Sequence, residues 1–195
     1  MKKLADVLAE ESRAYPDLVV EAWACDEHRL GLKPILRKGW APVGQSPIAS
    51  GHHRYEWLHV TAFVCPSSGE TEWYVTSAVG KPLFEMILRD FAKLTGAGQR
   101  RRIVLTLDNA GWHGPEGLAV PEGLRLVHLP SYSPELQPAE RLWPLVDEPV
   151  ANQHFETLAD LDAVVGERCR HLYAATEAIK AQTGFHWWPK PYQPN

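Results

Sequence analysis

The pattern of apolar and polar residues divides the first half of the chain into one helix and three strands. Apolar residues at helical spacing, stopped by Pro16, predict a lead-in helix within residues 1–17. Apolar and β-branched runs without a breaker predict strands, at 19–25, 55–65 and 71–76. The last two runs flank a Pro-Ser-Ser-Gly segment that is typical of a hairpin turn, so we expect antiparallel strands here.

The second half alternates helical and strand patterns. Amphipathic periodicity predicts two long helices, at 81–95 and 158–180. A short, continuously apolar run predicts a buried strand at 103–107, and a second buried strand is predicted at 124–129. Pro138 suits the first turn of another helix, which Pro144 and Pro149 then disturb.

These elements predict an α/β architecture, with helices packed on a mixed sheet. We divide the chain into the lead-in helix at 1–17, one domain at 18–180, and a Pro-rich C-terminal tail at 181–195, of which we expect residues 187–195 to be loose. Ligands of open sheets gather at strand ends, so acidic residues at strand ends are the first candidates for chemistry.

Composition narrows the class of protein. The 195 residues are 45% apolar with a formal net charge of −4, which fits one globular domain. The sequence contains no apolar run of about 18 residues and no uninterrupted apolar segment near its start, so we expect neither a membrane span nor a signal peptide. The three cysteines are widely spaced, which indicates a reducing cytosol rather than a disulfide framework or zinc ribbon.

Three carboxylates stand at element ends. Asp26 is predicted to end the first strand, Asp108 directly follows the buried strand at 103–107, and Glu140 falls in the first turns of a helix. Cleavage of a phosphodiester by two divalent ions needs an oxygen-rich cage, which three such acids can provide. Taken singly, each of them is better explained as a solvated or helix-capping acid.

The residues around the second and third acids form two longer motifs. They read Leu-Asp-Asn-Ala-Gly-Trp-His at 107–113 and Ser-Pro-Glu-Leu-Gln-Pro-Ala-Glu-Arg-Leu-Trp at 133–143. These resemble the DNAxxH and SPxLNPxExxW signatures of DDE transposases of the mariner superfamily, in its bacterial insertion-sequence branch, and Asp26-Glu27 resembles that branch's first-acid motif.

The resemblance covers residues 18–180 and implies a ribonuclease-H-like fold. It implies that Asp26, Asp108 and Glu140 are the catalytic triad and hold two Mg²⁺ or Mn²⁺ ions. Gln137 stands where the family usually has Asn, and Ala139 replaces a larger aliphatic residue. The family also carries a helix-turn-helix region before its first acid, so we expect this chain to be the catalytic half, with the DNA-reading half separately encoded or lost.

Three neighbours of the acids are candidates for supporting roles. His113 either donates a hydrogen bond towards a phosphate or water, or is a structural histidine. Asn109 either orients the Asp108 carboxylate or caps a following helix. Glu27 points to the sheet face opposite Asp26 and either supports the site or belongs to the surface.

A basic run begins beside the first acid. Between His28 and Tyr55 the sequence has five basic residues and no acid, namely Arg29, Lys33, Arg37, Lys38 and Arg54. Lysine and arginine so placed favour a track for DNA phosphates, with a solvated charged face as the alternative.

Together these features predict the catalytic domain of a transposase that cleaves DNA at element ends and joins the freed 3′-hydroxyl to target DNA. Its expected partners are the element ends, the target DNA, a second copy of the chain and a separate helix-turn-helix half, with no membrane. We expect it in the bacterial cytoplasm, associated with the nucleoid. The alternatives are a stand-alone metal-dependent nuclease of the same fold and a non-catalytic relic or partner domain.

Overall fold

The computed structural model describes residues 2–38, 42–44, 55–114, 117–130 and 133–193. Its strands are β1 (Val19–Gly31), β2 (Trp57–Val64), β3 (Thr71–Thr76), β4 (Arg101–Leu107) and β5 (Leu124–His128). Its α-helices are α1 (Lys2–Ala14), α2 (Lys81–Thr95), α3 (Trp143–Asp147), α4 (Leu158–Ala174) and α5 (Thr176–Thr183). Two 3₁₀ turns, Pro134–Leu136 and Pro138–Leu142, precede α3.

The strands form one mixed sheet in the order β3-β2-β1-β4-β5. β1 pairs antiparallel with β2, which pairs antiparallel with β3, as the hairpin pattern predicts. β4 lies parallel to both β1 and β5. The parallel pairing of β1 with β4 ends at Ala24 and Thr106, whereas the pairing of β1 with β2 continues to Gly31. The predicted α/β fold with a mixed sheet flanked by helices is therefore confirmed.

Both faces of the sheet are buried, which accounts for the continuously apolar strands. One face packs Trp23, Phe63 and Leu105 against Phe84 and Phe91 of α2. The other face packs alternate strand residues against α1, the segment after Pro138, and α4, including Leu8, Leu142 and Val165. Because β1 alternates between these two cores, Asp26 faces the Leu142 side and Glu27 faces the α2 side.

The best-predicted element is α2. Its observed bounds, Lys81–Thr95, are those that the apolar periodicity predicts. Gly96 ends the helix with a left-handed φ of 71°, a conformation that glycine adopts at little cost.

Three predictions for these elements are wrong, two because of tertiary contacts and one because of flanking prolines. β1 does not end at Asp26, because its pairing with β2 extends it to Gly31. Glu140 lies in a 3₁₀ turn rather than an α-helix, between Pro138 and Pro144, which restrict the backbone. The predicted helix at 158–180 breaks at Ala175, where the carbonyl of Thr176 lies against Gly69 in the β2–β3 turn.

The C-terminal tail is docked rather than loose. Trp188 is 7% exposed and belongs to the core beneath α4. Tyr192 exchanges two backbone hydrogen bonds with Val20, at 3.0 and 2.9 Å, near the start of β1. These contacts place residues 185–192 against the same body as the sheet. Among the described residues, no helix has the length and apolar character needed to cross a bilayer.

Candidate active site

The three predicted acids line one cleft. Asp26, Asp108 and Glu140 all border a cavity of about 390 Å³, together with Asn109 and Gln137. Asp26 comes from β1, Asp108 from the residue directly after β4, and Glu140 from the 3₁₀ turn before α3. The cleft opens where β4 has ended and β1 continues, which leaves space beside the β1 backbone.

Asp26 is the most buried of the three acids. It is 9% exposed, and its Oδ2 accepts a hydrogen bond from Nε1 of Trp143 at 2.8 Å. Burial raises the pKa of Asp26 to about 7, and the charges of Glu140 and Asp108 add to the rise, against the opposing effect of the Trp143 bond. At neutral pH this carboxyl therefore has both protonated and charged forms.

Asp108 is held by His113. Its Oδ1 lies 2.6 Å from Nδ1 of His113 and accepts the backbone N–H of Ala110 at 3.0 Å. The hydrogen bond from His113 lowers the pKa of Asp108, and burial works against this. Asp108 is thus charged under conditions in which Asp26 still titrates.

His113 connects Asp108 to the other face of the sheet. Its ring is 1% exposed and packs on Phe84, and its Nε2 lies 3.4 Å from Oε1 of Glu27 without completing a hydrogen bond. Burial disfavours the protonated ring, but the hydrogen bond to Asp108 and the negative charges of Glu27 and Asp108 outweigh it and raise the pKa of His113 to about 9. The ring is therefore an imidazolium between two carboxylates at neutral pH.

Glu27 reaches this network from the face opposite Asp26. Its Oε2 accepts the indole N–H of Trp112 at 2.7 Å, while Oε1 faces His113. The predicted alternation of faces is correct, and the turn at 111–113 brings His113 round to bridge the two faces.

Asn109 connects two loops that border the cleft. Its side-chain amide donates to the carbonyl of Leu129 at 2.7 Å, and the residues after it form a turn rather than the start of a helix. The bond joins the loop after β4 to the end of β5, and both loops border the cleft.

Glu140, like Asp108, is exposed, in contrast to the buried Asp26. Partial desolvation by the cleft walls raises the pKa of its carboxyl; His28 opposes this rise and Asp108 adds to it. These mutual effects show that the three carboxyl groups sense one another's charge.

The structure distinguishes Arg37, which is ion-paired, from the other described residues of the basic run. Lys33, Lys38 and Arg29 are exposed, and the guanidinium of Arg29 stacks 4.4 Å from the centre of the Trp57 ring. Arg37 instead pairs with Asp147 at 3.4 Å and donates to the carbonyl of Pro144. Arg54 lies outside the described residues.

Four residues near the cleft have roles that the sequence did not indicate. Gln137 donates from Nε2 to the carbonyl of Cys25 at 2.8 Å, and Trp143 binds Asp26 as described above. His28 stacks on Trp143 and lies 2.8 Å from Oδ1 of Asp147. Gln137 and Trp143 belong to the 133–143 motif, whereas the contact between His28 and Asp147, 119 residues apart, has no sequence signal.

A family model for DDE superfamily endonucleases matches residues 21–162, well over half of the chain. The chain belongs to the DDE superfamily of endonucleases. This DDE chain is 32% identical over 114 residues to the uncharacterized protein y4pE/y4sA of Sinorhizobium fredii (strain NBRC 101917 / NGR234). The aligned region covers 58% of this chain and 81% of that protein.

Solved structures of the Mos1 mariner transposase share the fold of this DDE chain. The paired-end complex with Mg matches at a TM-score of 0.55 and 16% identity, over 95% of this chain and 61% of the Mos1 chain. The strand transfer complex matches at a TM-score of 0.53 and 16% identity, over 94% of this chain and 60% of the Mos1 chain. The DDE chain thus spans about 60% of the Mos1 chains. The predicted ribonuclease-H-like fold and the predicted membership of the DDE group are confirmed.

The donor set of the cleft fits a hard divalent cation. Asp26, Asp108 and Glu140 offer only carboxylate oxygens, which Mg²⁺ and Mn²⁺ prefer, and no thiol borders the cavity. Within the described ranges, however, no three His, Cys, Asp or Glu side chains are already grouped closely enough to hold an ion. The three carboxyl groups would have to converge further to share an ion.

Proposed function

We propose that this chain cleaves DNA strands and transfers the freed 3′-hydroxyl to target DNA, with Asp26, Asp108 and Glu140 holding two Mg²⁺ or Mn²⁺ ions. The observation that carries the proposal is that these three acids, from three separate elements of a DDE superfamily endonuclease, line a single cleft. Two such ions would supply the positive charge that activates the attacking oxygen and stabilises the leaving oxygen of an in-line phosphoryl transfer.

The three acids lie in different environments, and we infer a different contribution to ion binding from each. Asp108 offers a charged carboxylate whose orientation is fixed by His113 and the backbone of Ala110. Asp26 offers a buried carboxyl whose orientation is fixed by the bond from Trp143 to Oδ2. Glu140 stands exposed at the rim, where its side chain has room to move towards the other two.

His113 and Glu27 act through Asp108 in this proposal. The imidazolium holds Asp108 by a 2.6 Å contact, and Glu27 holds the imidazolium from behind. Such outer partners orient ligands and typically change metal affinity 10–100-fold when they are removed. Asn109 fixes the loop that carries Asp108 to the end of β5.

DNA is the proposed partner of the exposed basic residues. Lys33, Lys38 and Arg29 are proposed to contact phosphates beside the cleft, and Arg54 is proposed with them from the sequence alone. Mos1, whose fold this chain shares, is known from complexes that include a transposon end. We further propose that the chain acts as a homodimer at the nucleoid, with element ends recognised by a helix-turn-helix part outside residues 1–195.

Nicking of supercoiled plasmid in Mn²⁺ or Mg²⁺ tests the chemistry. We expect metal-dependent nicking by the wild type and loss of at least 100-fold in Asp26→Asn, Asp108→Asn and Glu140→Gln, since each removes a proposed ligand. Glu135→Gln is the matched control, because Glu135 is an exposed acid of the same segment that does not border the cleft. Equal nicking by all of these proteins would refute the site.

Strand transfer is measured separately from cleavage. A labelled oligonucleotide with a 3′-hydroxyl should become joined to plasmid DNA, while the same oligonucleotide with a 3′-dideoxy end should not. Nicking without joining, with or without a helix-turn-helix partner, would favour the stand-alone nuclease. Absence of both activities in a folded, metal-binding protein would favour the non-catalytic alternative.

A further inference from the structure

Two side chains of the segment that carries Glu140 are bonded to β1. Gln137, three residues before Glu140, donates from Nε2 to the carbonyl of Cys25 at 2.8 Å. Trp143, three residues after Glu140, donates from Nε1 to Oδ2 of Asp26 at 2.8 Å. The two bonds therefore lie on either side of Glu140 and end on adjacent residues of β1.

Both donors are fixed in place. Gln137 is 4% exposed and Trp143 is 6% exposed. The Trp143 ring stacks on His28 with centroids 5.1 Å apart and planes 17° apart, and His28 in turn contacts Asp147 at the end of α3. Burial and stacking thus hold each donor in one orientation.

The side-chain amide of Gln137 uses its nitrogen in a hydrogen bond and leaves its oxygen unpaired among the described residues. The Cys25 carbonyl can only accept, so the amide must direct its N–H₂ group there. Its Oε1 is buried and has no hydrogen-bond partner within the described part of the chain. A buried, unpaired carbonyl oxygen is unfavourable, and its presence is explained if the Nε2 bond serves to hold two segments together.

The segment between these residues has little rigidity of its own. Glu140 lies in a five-residue 3₁₀ turn that begins at Pro138, and Pro144 follows in the first turn of α3. Short 3₁₀ pieces have poor hydrogen-bond geometry, and each proline removes a backbone donor. The position of Glu140 relative to Asp26 must therefore be set by contacts outside the turn.

We propose that Gln137 and Trp143 are positioning residues that tether the Glu140 segment to β1 and set the separation of the Asp26 and Glu140 carboxylates before a cation binds. The inference rests on the proposed function, because the separation matters only if both acids hold the same ions. The Trp143 tether ends on Oδ2 of Asp26 and therefore also fixes the orientation of the Asp26 carboxyl.

The test measures Mn²⁺ binding to the DNA-free protein by isothermal titration calorimetry. Trp143→Phe removes the indole N–H and keeps an aromatic ring against His28. Gln137→Met keeps the chain length and removes the amide. We expect each variant to bind Mn²⁺ about tenfold more weakly, because loss of an outer partner loosens a ligand. Urea denaturation of every protein reports whether the fold is intact.

Trp73→Phe is the matched control for the loss of an indole hydrogen bond. Trp73 Nε1 donates to Oγ1 of Thr71 at 2.8 Å, the same length as the Trp143 bond, and Trp73 does not border the acidic cleft. We expect Trp73→Phe to bind Mn²⁺ as the wild type does, even if its stability falls. A purely structural role for Trp143 would make both variants lose stability without a difference in Mn²⁺ affinity.

The outcomes separate this inference from the proposed function. Wild-type Mn²⁺ affinity in folded Trp143→Phe and Gln137→Met would overturn the tethers and leave the metal site standing. If Trp143→Phe does not fold, Gln137→Met alone decides. Absence of Mn²⁺ binding by the wild type, or equal binding by the wild type and Asp108→Asn, would overturn the metal site itself and the tethers with it.

Discussion

Asp26 and Asp108 lie at equivalent positions, one in β1 and the other directly after the parallel strand β4. The last ladder pair between β1 and β4 is Ala24 with Thr106, and each acid lies two residues beyond it on the same face of the sheet. Parallel register alone therefore brings two acids 82 residues apart in the sequence to one cleft. Any insertion of one residue in β4 would turn Asp108 to the α2 face and separate them.

The buried carboxyl of Asp26 should make stability depend on pH. Its pKa is raised from the ordinary 3.8 to about 7, so the native state holds a proton that the unfolded state has lost between about pH 4 and pH 7. The free energy of unfolding should fall as pH rises through this window. Asp26→Asn keeps an oxygen for Trp143 without the charge, so the metal-free variant should exceed wild type by up to about 4 kcal/mol at pH 8.

Urea denaturation of both proteins at pH 4, 6 and 8, in the presence of a chelator, measures this difference. We expect the two stabilities to converge as pH falls to about 4, because protonation of Asp26 in the unfolded state then approaches that in the native state. A difference that stays constant across the three pH values would contradict the proposed environment of Asp26.

His113 should produce a pH dependence in a different window. Its pKa is raised from 6.5 to about 9, so its stabilising contribution is complete below pH 6.5 and is lost as pH rises through 9. The free-energy difference between wild type and His113→Gln should shrink by up to about 3 kcal/mol between pH 6.5 and pH 10. His171→Gln, which removes an exposed surface pair with Glu167, should follow wild type throughout.

Divalent ions should stabilise the folded protein through Asp108. An ion that binds only the native state adds about 2.7 kcal/mol at a concentration 100 times its Kd, which raises the melting temperature. Asp108→Asn should remove most of that rise, and Glu135→Gln should keep it. Thermal unfolding in millimolar Mg²⁺ or Mn²⁺ makes the comparison, and an equal rise in Asp108→Asn would place the ion elsewhere.

Binding of DNA by this chain should be weak, independent of sequence and strongly dependent on salt. Each phosphate contact contributes about −0.9 to the slope of log affinity against log salt on duplex DNA. Lys33→Ala and Lys38→Ala should each flatten the slope, whereas Arg37→Ala should change it less because Arg37 is paired with Asp147. Fluorescence anisotropy between 50 and 200 mM salt, with Asp108→Asn as a charge-changing control at the cleft, tests this order.

The fold was largely predictable because its strongest signals are local. The periodicity of α2 and the continuous apolar run of β4 depend only on which faces are buried. The end of β1, the break at Ala175 and the docking of Trp188 depend instead on partners distant in sequence. No local pattern contains that information.

The site was predictable as far as its motifs extend. Asp108 and Glu140 stand in recognisable segments, and the structure brings both to the cleft with Asp26. The bond from Trp143 to Asp26 and the pairing of Arg37 with Asp147 were not predictable, because side-chain partners over 100 residues apart follow from the packing of α3 on β1. Assignment of the three acids as ion ligands stays a prediction until the variants are measured.

The pairing of Tyr192 with Val20 has a practical consequence for labelling. Val20 lies six residues before Asp26 on one extended strand, so about 20 Å separates the docked tail from the cleft. A fluorophore attached after Tyr192 would therefore sit on the pole of the domain away from the acids. Energy transfer between this fluorophore and a dye on the DNA would report how deeply a strand enters the cleft. The fluorophore itself would not obstruct entry.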